Sequence, residues 1–93
     1  MSVSTQPQLD VLACSATICR FDAERSRWRV VVEAWPSEER YEGRLVFQQD
    51  DPGVPAGARA SAPLFTGRTA EEVVSAAYEL PEKHVRAVLH SLI

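Results

Sequence analysis

The 93-residue sequence predicts an α+β domain: an antiparallel β-meander of three to four strands, followed by two C-terminal helices packed on one face of the sheet. Three observations carry this. Apolar residues alternate with polar ones through much of positions 9–49, which is the period of a strand. Short polar or Pro/Gly-containing breaks cut that alternation into strand-length pieces. Beyond position 69 the apolar residues change to a three-and-four spacing, which is the period of a helix. A three-stranded sheet and a short helix are each marginal alone, so the two layers are expected to cover one another.

Residues 1–8 are polar, contain Pro7 and read as a flexible leader, with the domain running from 9 to 93. The first strand is expected over 9–20, with Leu12, Cys14, Ala16 and Ile18 on the more core-like side. Val11, Ala13, Ser15, Thr17 and Cys19 take the other side. Positions 21–26 (FDAERS) read as a polar turn. The clearest strand is 27–35, rich in β-branched and aromatic residues. Trp28, Val30, Val32 and Ala34 face one way; Arg27, Arg29, Val31, Glu33 and Trp35 face the other. Pro36 closes it, and 36–39 make a four-residue turn into a returning strand over 40–49. There Tyr41, Gly43, Leu45 and Phe47 alternate with Arg40, Glu42, Arg44, Val46 and Gln48. This return keeps Val30 and Val32 on the side of Leu45 and Phe47. It also keeps Val31 beside Val46, and Arg29 and Glu33 beside Arg44 and Glu42. A one-residue slip would set valine against arginine on every rung.

Positions 50–63 hold three prolines and two glycines and read as a long loop, with Asp51-Pro52-Gly53 suited to a type II turn. A short edge strand is expected over 62–66, where Pro63 is tolerated. Thr69 then fits a helix N-cap with Glu72 as its capping-box partner. The helix runs over 70–78 and carries Val73, Val74 and Ala77 inward, with Tyr78 at the margin. Pro81 breaks it and suits the first turn of a second helix. In that helix Val85, Val88, Leu89 and Leu92 make one buried stripe, and Lys83, Arg86 and His90 lie opposite.

Composition narrows the function. Hydrophobic residues are 45% and charged residues 25% of the chain, ordinary globular values that argue against disorder or a fibrous fold. Ten basic against thirteen acidic side chains give a net charge of −3, so there is no basic excess of the kind that drives phosphate binding. All but one of the ten basic residues are Arg, a skew that fits a GC-rich bacterial genome. No apolar run approaches the roughly 20 residues of a membrane span, and no secretory leader pattern opens the chain. Cys14 and Cys19, five apart on one strand, are expected on opposite faces, reduced and unbonded. That usage fits a cytoplasmic protein.

No catalytic, cofactor or metal constellation is expected. Cys14, Cys19, His84 and His90 are the soft-ligand inventory. The histidines are six apart on a helix, which leaves their rings roughly 120° apart. No nucleophile elbow, P-loop or dinucleotide fingerprint is present. Glu38-Glu39, Asp50-Asp51 and Glu71-Glu72 are adjacent carboxylates suited to turns and a helix start. A thiol enzyme would need Cys14 or Cys19 to meet His84 in the fold.

Two binding readings remain. Arg20, Arg25, Arg27, Arg29, Arg40 and Arg44, interleaved with Trp28, Trp35, Tyr41 and Phe47, could serve a single-stranded nucleic acid or RNA. Against this, Trp28, Tyr41 and Phe47 share the core side, and Glu33 and Glu42 pair with the outward arginines. The favoured reading is a non-catalytic protein-interaction module, binding itself as a homodimer or another protein. Its interface is Val31, Trp35 and Val46, rimmed by Arg29, Glu33 and Arg44. The competing expectation is that the leader or the 50–63 loop covers this patch, or that Trp35 tucks against Pro36.

Overall fold

The computed structural model describes residues 14–53 and 57–93. The proposed leader, the first residues of the expected first strand and positions 54–56 lie outside the described residues. Strands β1 (Cys14–Ala23), β2 (Ser26–Ser37), β3 (Arg40–Gln49) and β4 (Ala58–Ala60) form an antiparallel meander in sequence order. A fifth strand, β5 (Phe65–Gly67), pairs with β3 beside β4. Two helices follow, α1 (Ala70–Tyr78) and α2 (Glu82–Leu92), and pack against the sheet. The fold is the predicted α+β meander with two C-terminal helices, extended by the fifth strand.

β2 is the central strand, and its inward residues Val30, Val32 and Ala34 are fully buried. They pack with Trp28, Leu45 and Phe47 of the sheet, Phe65 of β5, Val73 and Ala77 of α1, and Val85 and Leu89 of α2. The helices therefore cover the face that carries the even-numbered residues of β2. Tyr78, placed at the margin of the buried stripe, is exposed, and its hydroxyl donates to the Thr17 carbonyl at 3.1 Å.

The two long hairpins are tighter than expected. Ser37 pairs with Arg40, so only Glu38 and Glu39 form the turn, and Pro36 lies within β2 rather than closing it. Alternation of bonded and unbonded rungs makes Pro36–Tyr41 an unbonded rung, where a missing N–H costs nothing in the β2–β3 ladder. Shortening the turn from four residues to two moves every partner by two, which preserves the faces. Val30 meets Phe47, Val31 meets Val46, Val32 meets Leu45 and Glu33 meets Arg44; Arg29, however, meets Gln48 rather than a charged residue.

The first hairpin corrects two expectations. Positions 21–26 are not a polar turn: Phe21 to Ala23 continue β1, Ala23 pairs with Ser26, and only Glu24 and Arg25 turn. Phe21 pairs with Trp28 and is 8% exposed, part of the core. The second correction is a bulge. Thr17 pairs with Val31 and Cys19 with Val30, so Ile18 is the extra residue. The bulge reverses the facing of everything after it. Cys14 and Ala16 lie opposite Ala34 and Val32, and Cys19 and Phe21 lie opposite Val30 and Trp28. The two cysteines thus share the helix-covered face. They remain apart because their partners are four residues apart on β2, about 13 Å along the strand, well beyond disulfide reach.

The outer edge of β3 is covered along its length. β4 pairs with 46–48 and β5 with 41–43. Pro63 lies between these strands, not inside an edge strand over 62–66. In the link, Ser61 N donates to Leu45 O, Leu45 N donates to the buried Ser61 Oγ at 3.0 Å, and Leu64 N donates to Gly43 O. Thr69 caps α1 as predicted, accepting from Glu72 N at 3.1 Å. The Glu72 carboxylate reaches back one residue further than expected, to Arg68 N. Pro81 is the N-cap of α2 rather than a first-turn residue. Arg86 does not lie away from the sheet: it donates to Asp22 O, and its guanidinium sits 4.5 Å from the Phe21 ring centre.

Two expected outcomes follow from this geometry. Glu24 and Arg25 have φ of 53° and 63°, the left-handed pair of a type I′ turn that favours Asn-Gly. Arg25→Gly should raise stability by about 1 kcal/mol, read as a higher urea midpoint at unchanged slope. Gly43 lies beneath α1, where an added Cβ would run into Val73 Cγ1 and come 3.1 Å from Glu33 O. Gly43→Ala should cost about 1–3 kcal/mol in the same measurement.

Candidate sheet-face interface

The face turned away from the helices is built in cross-strand rows. Its middle row is Thr17, Val31, Val46 and Ala60. On one side of it lies a row of Arg20, Arg29, Gln48 and Ala58, then Asp22 with Arg27. On the other side come Ser15, Glu33 and Arg44, then Trp35, Glu42 and Thr66. All six predicted interface residues, Val31, Trp35, Val46, Arg29, Glu33 and Arg44, therefore lie on this one face. The parity of the β2–β3 pairing places them there.

Their arrangement is tighter than an exposed apolar patch. Arg44 donates through Nε to Glu33 Oε1 at 3.0 Å, and its Nη2 lies 3.0 Å from the same oxygen. The Arg44 guanidinium also sits 5.8 Å from the Trp35 ring centre, within cation–π range. On the other side of the valines, Arg29 donates through Nε to Gln48 Oε1 at 3.0 Å and through Nη2 to the same oxygen. The two polar pairs flank the valines. Val46 is only 7% exposed, while Val31 and Trp35 are half-buried. Partly exposed pairs of this kind contribute about 0.2–1 kcal/mol each to stability, so their main effect is to hold long side chains in fixed positions.

The pattern alone missed three residues of this face, Ala58, Ala60 and Arg20. Gln48, expected on this side, becomes Arg29's partner because the turn is shorter. Ala58 and Ala60 widen the face through a strand too short to show a period. Arg20 stands opposite Arg29 across β1–β2 because the bulge turns it outward. Aromatic content on this face is Trp35 alone, since Trp28 and Phe47 are buried under the helices and Tyr41 packs against that core.

Elsewhere, no group of three or more His, Cys, Asp or Glu side chains capable of holding a metal occurs among the described residues. His90 Nε2 lies 3.3 Å from Glu24 Oε2, tying the end of α2 to the first turn. Cys14 and Cys19 are both half-buried. The Cys19 thiol is pushed above its ordinary pKa, mainly by burial and further by the Glu82 carboxylate, with Arg86 pulling the other way. A thiol that stays protonated is a poor nucleophile. The folded chain holds this proton more tightly than the unfolded chain does. The Cys19 contribution is therefore fully present below the ordinary thiol pKa and is lost as pH rises through the raised one. The stability of the wild type relative to Cys19→Ala should be flat up to about pH 8 and fall above it, as urea midpoints across that range would show.

Among the described residues, no helix is long and apolar enough to cross a membrane. No protein-family model, curated protein or solved structure matches the chain.

Proposed function

We propose that this chain is a small non-catalytic protein-interaction module that docks a protein partner, another copy of itself or a different chain, on the open face of its sheet. One observation carries the reading. The helices occupy the face of Val30 and Val32, leaving Val31, Trp35 and Val46 on the other face between two fixed arginine pairs. Tryptophan and arginine held in place at low entropic cost are the side chains that most often dominate binding energy. A rim of mixed charge suits a polar protein surface better than a polyanion. Two reduced cysteines too far apart to bond fit work in a bacterial cytoplasm.

The second reading, a single-stranded nucleic-acid or RNA binder, draws on one observation. Arg20 and Arg29 face each other with no acidic residue in their row, a juxtaposition that a phosphate would relieve. With a single aromatic on the face, base stacking has one platform where such binders usually use several.

A photo-reactive benzoylphenylalanine at Thr17, beside Val31, separates these readings in cells that make the protein. Protein adducts of discrete mass from position 17, with none from Ser75 on the exposed side of α1, are the expected result. Nucleic-acid adducts from position 17 would favour the second reading. Silence at both positions would remove the docking face. In parallel, mixed-sequence oligonucleotides at low salt should leave Trp fluorescence unchanged; quenching that disappears with Arg29→Ala and Arg44→Ala would support nucleic-acid binding instead.

A further inference from the structure

Resting on the docking reading of the open face, we infer that the partner is a second copy of this chain, stacked sheet to sheet about a two-fold axis that runs across the strands through the Val31–Val46 row. Such an axis lays β2 of one copy antiparallel over β2 of the other. It keeps the middle row on itself and exchanges the rows on either side.

The charge pattern selects this axis. On the Arg29 side the adjacent row carries Arg20 and Arg29 and no acid; on the other side it carries Glu33 and Arg44. Exchange sets the doubly positive row of each copy over the row that holds the other's Glu33. Arg29 of one copy then faces Glu33 of the other, twice by symmetry. One row further out, Arg27 faces Trp35, whose ring already has Arg44 of its own chain beside it. An axis along the strands would instead gather Arg20 and Arg29 of both copies, four cations, into one row, a like-charge arrangement that opposes assembly.

The bonding already present leaves room for these contacts. Arg29 uses Nε and Nη2 on Gln48, and no hydrogen bond among the described residues takes its Nη1. Arg44 reaches Glu33 at Oε1 alone, and no hydrogen bond among the described residues takes Oε2. Each pair thus fixes its arginine or glutamate while leaving one donor or one acceptor for a partner. Four strands about 4.8 Å apart and five outward rows about 6.7 Å apart cover about 500 Å² in projection. That is below a standard partner surface of about 800 Å², so the expected dimer is a weak, reversible one.

The test is complementation between charge variants, read by size-exclusion chromatography with light scattering at high micromolar concentration. Folding of each chain is checked first by circular dichroism. Wild type should run as a dimer. Arg29→Glu makes both positions acidic and Glu33→Arg makes both basic, so each variant alone should dimerise about 10-fold or more weakly. An equimolar mixture of the two should form a heterodimer. There the introduced glutamate of one chain meets the introduced arginine of the other, and the retained Glu33 meets the retained Arg29. A wild-type dimer whose variants do not recover on mixing would overturn the axis. A monomeric wild type would overturn the second copy altogether. The adduct at position 17 then reports separately on the docking reading: a different protein there sustains it, and an intramolecular link to residues 1–13 or 50–57 shows the face covered by its own chain.

Discussion

The parity of the β2–β3 pairing is the constraint on which the rest depends. Val30, Val32 and Ala34 point one way and Val31, Glu33 and Trp35 the other, and β3 answers with Leu45 and Phe47 on the first side and Arg44 and Val46 on the second. The first side is apolar through its middle, so the helices lie there. Val73, Ala77, Val85 and Leu89 meet it with the small and branched side chains that allow close approach. The closeness shows at Gly43, where α1 leaves no space for a methyl group. The composition of the open face follows as the remainder, fixed by the same pairing that built the core.

Parity was legible because it survives errors of two. A turn expected at four residues and found at two shifts every rung, yet Val31 still lies beside Val46, and all six proposed interface residues stay on one face. What parity cannot survive is an error of one, and β1 contains one. Nothing in the run Ala16-Thr17-Ile18-Cys19 marks Ile18 as unpaired, since both sides of that stretch are small or apolar and either facing could be buried. Phe21 is the one residue that could have signalled it, being too large and apolar to sit comfortably in a turn. The three-residue strands were illegible for another reason: they are too short for a period, and they are held by backbone and Ser61 contacts to β3. Tertiary pairing, rather than local propensity, defines them.

The edges of the sheet are treated differently from its open face. β3 is closed off by β4, β5 and the Ser61 link. β1 is interrupted by its bulge, and helix side chains take two of its carbonyls, Thr17 through Tyr78 and Asp22 through Arg86. These devices discourage strand addition at the edge. With both edges blunted, the open face offers side chains rather than backbone as its contact groups. Side-chain contacts can be tuned in sign and strength by single substitutions, as backbone pairing cannot.

The two-residue turns bear on how the chain finds this structure. β1, β2 and β3 are joined by the shortest links an antiparallel sheet allows, so the pairings that set the core are local in sequence. Hairpins of this kind close in about 1–10 μs, and local contacts of this sort speed folding as a whole. The route has an asymmetry. Zipping from Glu38-Glu39 starts from one left-handed residue, Glu38, and meets no interruption along β2 and β3, whereas zipping from Glu24-Arg25 starts from two and reaches the bulge at Ile18 within a few rungs. The β2–β3 hairpin is thus the natural nucleus, and β1 joins a template whose two faces are already decided.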